Sequence, residues 1–143
     1  MRDIQQVIGG MSPLSGAKKF LDRLREKHPV LILSDTYYEF AASLMKKLGS
    51  PVLFCNTLKT DRKGFISGYC LRQKDGKTKA VKGLRAMGFQ VVASGDSYND
   101  LGMLQSADRG VFFNPPPSIS KKFPVMKVTK NYRDLFAALT RAI

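Results

Sequence analysis

The chain has 143 residues, 43% of them hydrophobic, which suits one globular domain with a core of its own. No apolar run approaches the roughly 20 residues a membrane span needs. The start, Met-Arg-Asp-Ile-Gln-Gln, carries no secretory pattern, and Cys55 and Cys70 are too few for a disulfide framework and lack metal-ligand spacing. The 24 Lys and Arg outweigh 11 Asp and Glu, a formal net charge of +13 that points toward anionic partners.

Helices and strands alternate along most of the chain. Gly16 to Lys27 reads as a helix with Phe20, Leu21 and Leu24 on its apolar side and Ser15 as N-cap; His28-Pro29 ends it. Val30 to Leu33 is wholly apolar and reads as a parallel strand covered on both faces. Tyr37 to Leu48 is the next helix, stopped by Gly49, and Val52 to Phe54 a second short strand. Thr57 to Thr60 and Phe65 to Leu71 flank the turn signal Asp61-Arg62-Lys63-Gly64, a hairpin. Lys77 to Met87 is helical, with Val81, Leu84 and Met87 facing in and Gly88 as the stop. Gln90 to Ser94 is a third parallel strand, Asn99 to Ala107 a short helix and Val111 to Phe113 a fourth strand. Pro115-Pro116-Pro117 is a stiff loop, Val125 to Val128 an edge strand, and Tyr132 to Ala142 a closing helix with Leu135, Phe136 and Leu139 inward.

The alternation predicts an open α/β sheet, whose sites lie at the carboxyl ends of the strands. Two polar stretches fall there. Gly95-Asp96-Ser97-Tyr98-Asn99-Asp100 offers two carboxylates, Asp96 and Asp100, able to converge on one Mg²⁺, with Gly95 allowing a tight turn and Asn99 an amide donor. A plain helix cap competes with that reading. Ser34-Asp35-Thr36 offers hydroxyls and backbone amides at a helix start, an anion site. Lys77 opens a helix, a poor place for a cation unless it meets a phosphate; Lys74 and Lys79 compete with it.

Lys59 to Arg85 is the densest basic stretch, nine Lys and Arg against Asp61 and Asp75. Solvated helix faces and a hairpin tip account for most of it. The aromatic-interleaved pattern of a single-strand binder is absent, and no helix-turn-helix, zinc-finger or RNA-recognition signature appears, so nucleic-acid binding is the alternative and not the favoured reading. The cysteines are expected as buried, reduced thiols in a cytoplasmic protein.

The segments "LILSDTYYEF", "GYCLRQKDGK" and "ASGDSYNDLGML" resemble the haloacid dehalogenase superfamily, in its phosphoserine phosphatase group. Within that group they are similar to the bifunctional phosphoserine phosphatase and phosphoserine:homoserine phosphotransferase branch. The resemblance runs from about Ile4 to the closing helix. It implies a Rossmann-like three-layer sandwich of mainly parallel sheet plus a β-hairpin, a Mg²⁺ cofactor and a phosphorylated small-molecule substrate. Ser34 then binds the phosphoryl group with help from Asp35 and Thr36. Lys77 neutralises phosphate and nucleophile, Asp96 ligates the metal, and Asn99 and Asp100 support the phosphate and the metal's water shell.

The resemblance also implies a D-x-D nucleophile motif at the end of an apolar strand, whose first aspartate attacks phosphorus and whose second is the acid and base. These residues hold no such pattern. Asp3 and Asp22 follow no strand, and two positions after Asp35 stands Tyr37. Residues 1–13 are expected as a remnant of the family's helical cap and its linker, and 14–143 as a truncated core domain. Loss of the nucleophile strand would strip ladder partners from the strands ending at Ser34 and Asp96. Unpaired buried backbone groups cost about 1–3 kcal/mol each against a typical stability of roughly 5–15 kcal/mol. The expectation is therefore direct pairing of those strands, a strand supplied by another chain, or a fragment of a longer protein.

Overall fold

A computed structural model describes residues 2–141, with side chains described from Ile4 to Arg141. The chain forms two compact units, Met1–Gly76 and Lys77–Ile143. The first holds helices α1 (Arg2–Gly10), α2 (Ala17–Arg25) and α3 (Tyr38–Lys47) and strands β1 (Leu31–Tyr37), β2 (Val52–Thr60) and β3 (Ile66–Cys70). The second holds α4 (Gly76–Ala86), β4 (Val92–Gly95), a 3₁₀ turn over Tyr98–Asp100, α5 (Leu101–Ser106), β5 (Arg109–Phe113), α6 (Pro117–Lys122), β6 (Lys127–Thr129) and α7 (Tyr132–Thr140). Each unit has a three-stranded sheet, ordered β1-β2-β3 and β4-β5-β6. β1 runs parallel to β2, and β4, β5 and β6 are all parallel, while β2 and β3 make an antiparallel hairpin. The expected α/β class with mainly parallel sheet and a hairpin is the one observed.

Local chemistry explains the stops and turns. Gly49 adopts φ +80°, and the Ser50 and Gly49 amides donate to the Met45 and Lys46 carbonyls, closing α3 with a left-handed glycine. The Arg25 guanidinium reinforces that end by donating to the Leu48 and Gly49 carbonyls. In the hairpin, Asp61 Oδ1 accepts from the Lys63 and Phe65 amides at 2.9 Å each, and Gly64 takes φ +82°.

Several expectations are corrected. Ser15 does not cap α2: Gly16, at φ 82°, occupies that position with no side-chain bond. The short strand at Val52 and the hairpin arm at Thr57 are one continuous β2, because Asn56 sits inside the ladder. Pro117 opens α6 rather than prolonging a loop, since proline's missing N–H is harmless in a helix's first turn. Met87 lies exposed beyond the end of α4. Cys70 is exposed and Cys55 half-buried, so neither thiol is the buried one expected. Ala142 lies outside the described residues.

The cores of the units differ. In the second, Val111 and Phe112 of the central strand β5 are fully buried, with Leu104, Val81 and Leu135 closely packed. In the first, Leu24, Ala41 and Leu48 are buried, but Leu31, Ile32 and Leu33 of β1 stay half-exposed. The expectation that this run is fully covered on both faces is therefore not met, since all three side chains keep partial exposure. Among the described residues, no helix is long and apolar enough to cross a membrane.

Candidate functional site

In the second unit, β4 ends at Gly95 and the chain turns through Asp96 and Ser97 into the 3₁₀ turn. Asp100 organises that turn. Its Oδ2 accepts from the Asp96 amide at 3.0 Å, the Ser97 amide at 3.1 Å and the Ser97 hydroxyl at 2.9 Å, while Oδ1 accepts from Lys77 Nζ at 2.9 Å. The carboxylate is buried, 6% exposed for the residue. Burial pushes its pKa up, but the bonds from Lys77, Ser97 and the Asp96 amide outweigh that and hold it below the usual carboxylate value. The backbone approach is close enough to require glycine: a Cβ on Gly95 would lie 2.4 Å from Asp100 Cβ.

Lys77 is the one of the three competing lysines bonded to this turn, and its side chain is only 14% exposed, whereas Lys74 and Lys79 are exposed. It projects from the first turn of α4, where its charge is offset by Asp100 rather than by the helix. Asp96 and Asn99 are exposed. Tyr98 is braced by the Phe123 ring at 6.2 Å and by Lys122 Nζ, 5.5 Å from its centroid. The donor set is thus one exposed carboxylate, Asp96, beside one already engaged by four donors. Among the described residues no three His, Cys, Asp or Glu converge. A pair of carboxylates at a strand end suits an ion such as Mg²⁺, which uses one or two carboxylates and completes its octahedron with water and phosphate oxygens.

In the first unit, Ser34, Asp35 and Thr36 lie within β1 and not after it. Leu33 pairs with Phe54 and Tyr37 with Asn56, so three residues face Cys55 alone and bulge from the ladder. Ser34 Oγ accepts from the Thr36 amide at 3.2 Å, which leaves its own hydroxyl proton available to donate. The Asp35 side is exposed, and α3 begins immediately after β1. Glu39 in the first turn of α3 accepts the Leu58 amide at 2.9 Å, fixing the base of the hairpin. The residue that sequence reasoning missed is Asn56, 8% exposed, whose Nδ2 donates to the Asp35 carbonyl at 2.9 Å. A strand-disfavoured asparagine inside the run Val-Leu-Phe-Cys-Asn-Thr-Leu was the available signal.

Residues 2–108 match the haloacid dehalogenase-like hydrolase family. The chain is 45% identical over 133 residues to phosphoserine phosphatase ThrH of Pseudomonas aeruginosa, covering 93% of this chain and 65% of that protein. It is 43% identical over 135 residues to a phosphoserine phosphatase of Pseudomonas syringae, covering 94% of this chain and 57% of that one. The chain therefore spans somewhat under two thirds of the length of these relatives. A phosphoserine phosphatase solved as a phospho-aspartyl intermediate analogue superposes with a TM-score of 0.78 at 19% identity, covering 97% of this chain and 70% of that chain. The phosphoserine phosphatase of T. onnurineus does so with a TM-score of 0.72 at 23% identity, covering 97% of this chain and 64% of that chain. These two structures support the Rossmann-like fold. The family match assigns membership: this chain belongs to the haloacid dehalogenase-like hydrolases, and the relatives it matches are phosphoserine phosphatases.

Proposed function

We propose that these residues carry the metal- and phosphate-binding core of a Mg²⁺-dependent phosphoryl-transfer protein acting on phosphoserine. The observation behind this is the Gly95–Asp100 turn with its Lys77–Asp100 pair, in a chain 45% identical to phosphoserine phosphatase ThrH. Asp96 holds the metal directly. Asp100 belongs to the same metal site by fixing the Asp96 backbone and the Lys77 ammonium. Bound Mg²⁺ would neutralise charge on the phosphoryl oxygens. In the second unit, Lys77 supplies positive charge and Asn99 an amide donor for a phosphoryl group; in the first unit, the Ser34 hydroxyl with the Asp35 and Thr36 backbone offers phosphate-binding donors. Transfer to homoserine in place of water is an acceptor choice for the same site. A cytoplasmic setting, and residues 1–13 as part of a helical cap, belong to the same proposal.

No D-x-D pattern occurs in the 143 residues. Phosphoserine turnover by this chain alone is therefore expected to be negligible. Measurable Mg²⁺-dependent turnover that vanishes in Asp35→Asn would overturn that expectation. The metal assignment is tested separately by amide chemical shifts. Millimolar Mg²⁺ is expected to move the Asp96 and Ser97 resonances in the wild type and not in Asp96→Asn; an unresponsive wild type sinks the reading. The exposure of Lys59, Arg62 and Lys63 on the hairpin favours a second reading, a basic module that binds nucleic acid or another polyanion without catalysis. A DNA titration at two salt concentrations decides it, because binding through these cations must weaken as salt rises.

A further inference from the structure

The bulge of β1 has a local problem. Ser34, Asp35 and Thr36 face one ladder residue, so β2's backbone cannot satisfy them all. Side chains take over. Thr36 donates to Ser34 Oγ, and the Asp35 carbonyl receives Asn56 Nδ2. The other end of the same amide, Asn56 Oδ1, accepts the Arg72 amide at 3.0 Å. Arg72 is itself fixed, with its guanidinium 5.0 Å from the Phe54 ring centre and donating to the Gly76 carbonyl at 3.1 Å. The partners also settle the amide's orientation: flipped, its oxygen would face the Asp35 carbonyl and its NH₂ the Arg72 N–H. Aspartate there has no donor, and serine has no sp² plane presenting donor and acceptor on opposite sides.

We infer that Asn56 is a positioning residue: it ties the Ser34–Thr36 bulge to the Arg72 segment and so holds the Ser34 hydroxyl and the bulge amides in the geometry that receives a phosphate oxyanion. This deepens the proposed function and rests on its assignment of the bulge as the phosphate end. Asn56 touches no substrate in this role; it acts through Asp35.

The test uses the whole chain, with Asn56→Ala and Asn56→Asp, and inorganic phosphate as the probe at constant ionic strength. Without ligand, Asn56→Ala is expected to speed exchange of the Arg72 amide and shift the Asp35 and Thr36 resonances. Asn56→Asp keeps the acceptor for Arg72, so it should preserve Arg72 protection while still disturbing Asp35 and Thr36. With phosphate, both variants are expected to bind about threefold to tenfold more weakly than wild type, the ratio that loss of one hydrogen bond produces. Unfolding curves taken alongside restrict the comparison to folded protein, and because Asn56→Asp also adds a charge that repels phosphate, the uncharged Asn56→Ala decides: a merely structural asparagine would leave phosphate affinity of the folded Asn56→Ala unchanged. Wild-type affinity in Asn56→Ala overturns the inference alone. If the wild-type bulge does not respond to phosphate, the assignment of the phosphate end falls and the inference falls with it.

Discussion

The turn after β4 and the bulge within β1 are both irregular backbone, but they are held in opposite ways. The turn closes on itself: Asp100, four residues from Asp96, collects three donors of its own loop and the Lys77 ammonium. It rests on a unit whose central strand is fully buried at Val111 and Phe112. The bulge draws its support from residues about twenty and more positions away, Asn56 and through it Arg72, on a sheet whose β1 is half-exposed. A carboxylate site built from a short stretch is preorganised by its own sequence. An oxyanion site built on a bulge depends on distant side chains and on a less buried scaffold.

Removing Asp100 should break the first arrangement most severely. Asp100→Ala removes the buried acceptor of four hydrogen bonds, one of them from the Lys77 ammonium, and is expected to destabilise by about 3–5 kcal/mol in urea unfolding; a loss under about 1 kcal/mol would mean the turn is held by something else. Its acid limb gives a sign. The Asp100 carboxyl is held below its ordinary value of 3.8, so its contribution is present above that pH and is lost as pH falls through the lower folded-state value. The stability gap between wild type and Asp100→Asn should therefore shrink on acidification. Gly95→Ala comes next, at about 1–3 kcal/mol, because its Cβ meets the Asp100 side chain rather than a movable surface group. Amide exchange compares the units directly: Val111–Phe113 should exchange roughly tenfold or more slowly than Leu31–Leu33, and strong protection of Leu31–Leu33 would show that β1 is better covered than its side chains indicate. Asp96→Asn is expected to have the smallest effect on stability, within about 0.5 kcal/mol for an exposed side chain, while abolishing the Mg²⁺ response.

The same contrast explains what could be read from the sequence. Asp96, Asp100 and Gly95 were legible because their contacts within the loop span six residues, and Gly49, Gly88 and Asp61 marked stops and turns by local backbone chemistry alone. Lys77 was legible by its anomalous place at a helix start. The bulge was not, because register is set by how β1 aligns with β2, and neither strand announces it. Asn56 appeared as a polar interruption in an apolar run, and its meaning depends on which carbonyl of the bulge its amide reaches. The start of α6 was hidden by three prolines, residues that signal stiffness whether or not a helix follows them.

The unequal cysteines have a practical consequence. Burial, with the Glu39 charge adding to it, pushes the Cys55 thiol up and leaves it a poor nucleophile, while Cys70 at the end of β3 is exposed. A thiol-reactive fluorophore should therefore attach selectively at Cys70, two residues from Arg72 in the chain. The natural sequence supplies a labelling handle beside the bulge's anchor, so movement of that segment can be followed optically without introducing a new residue.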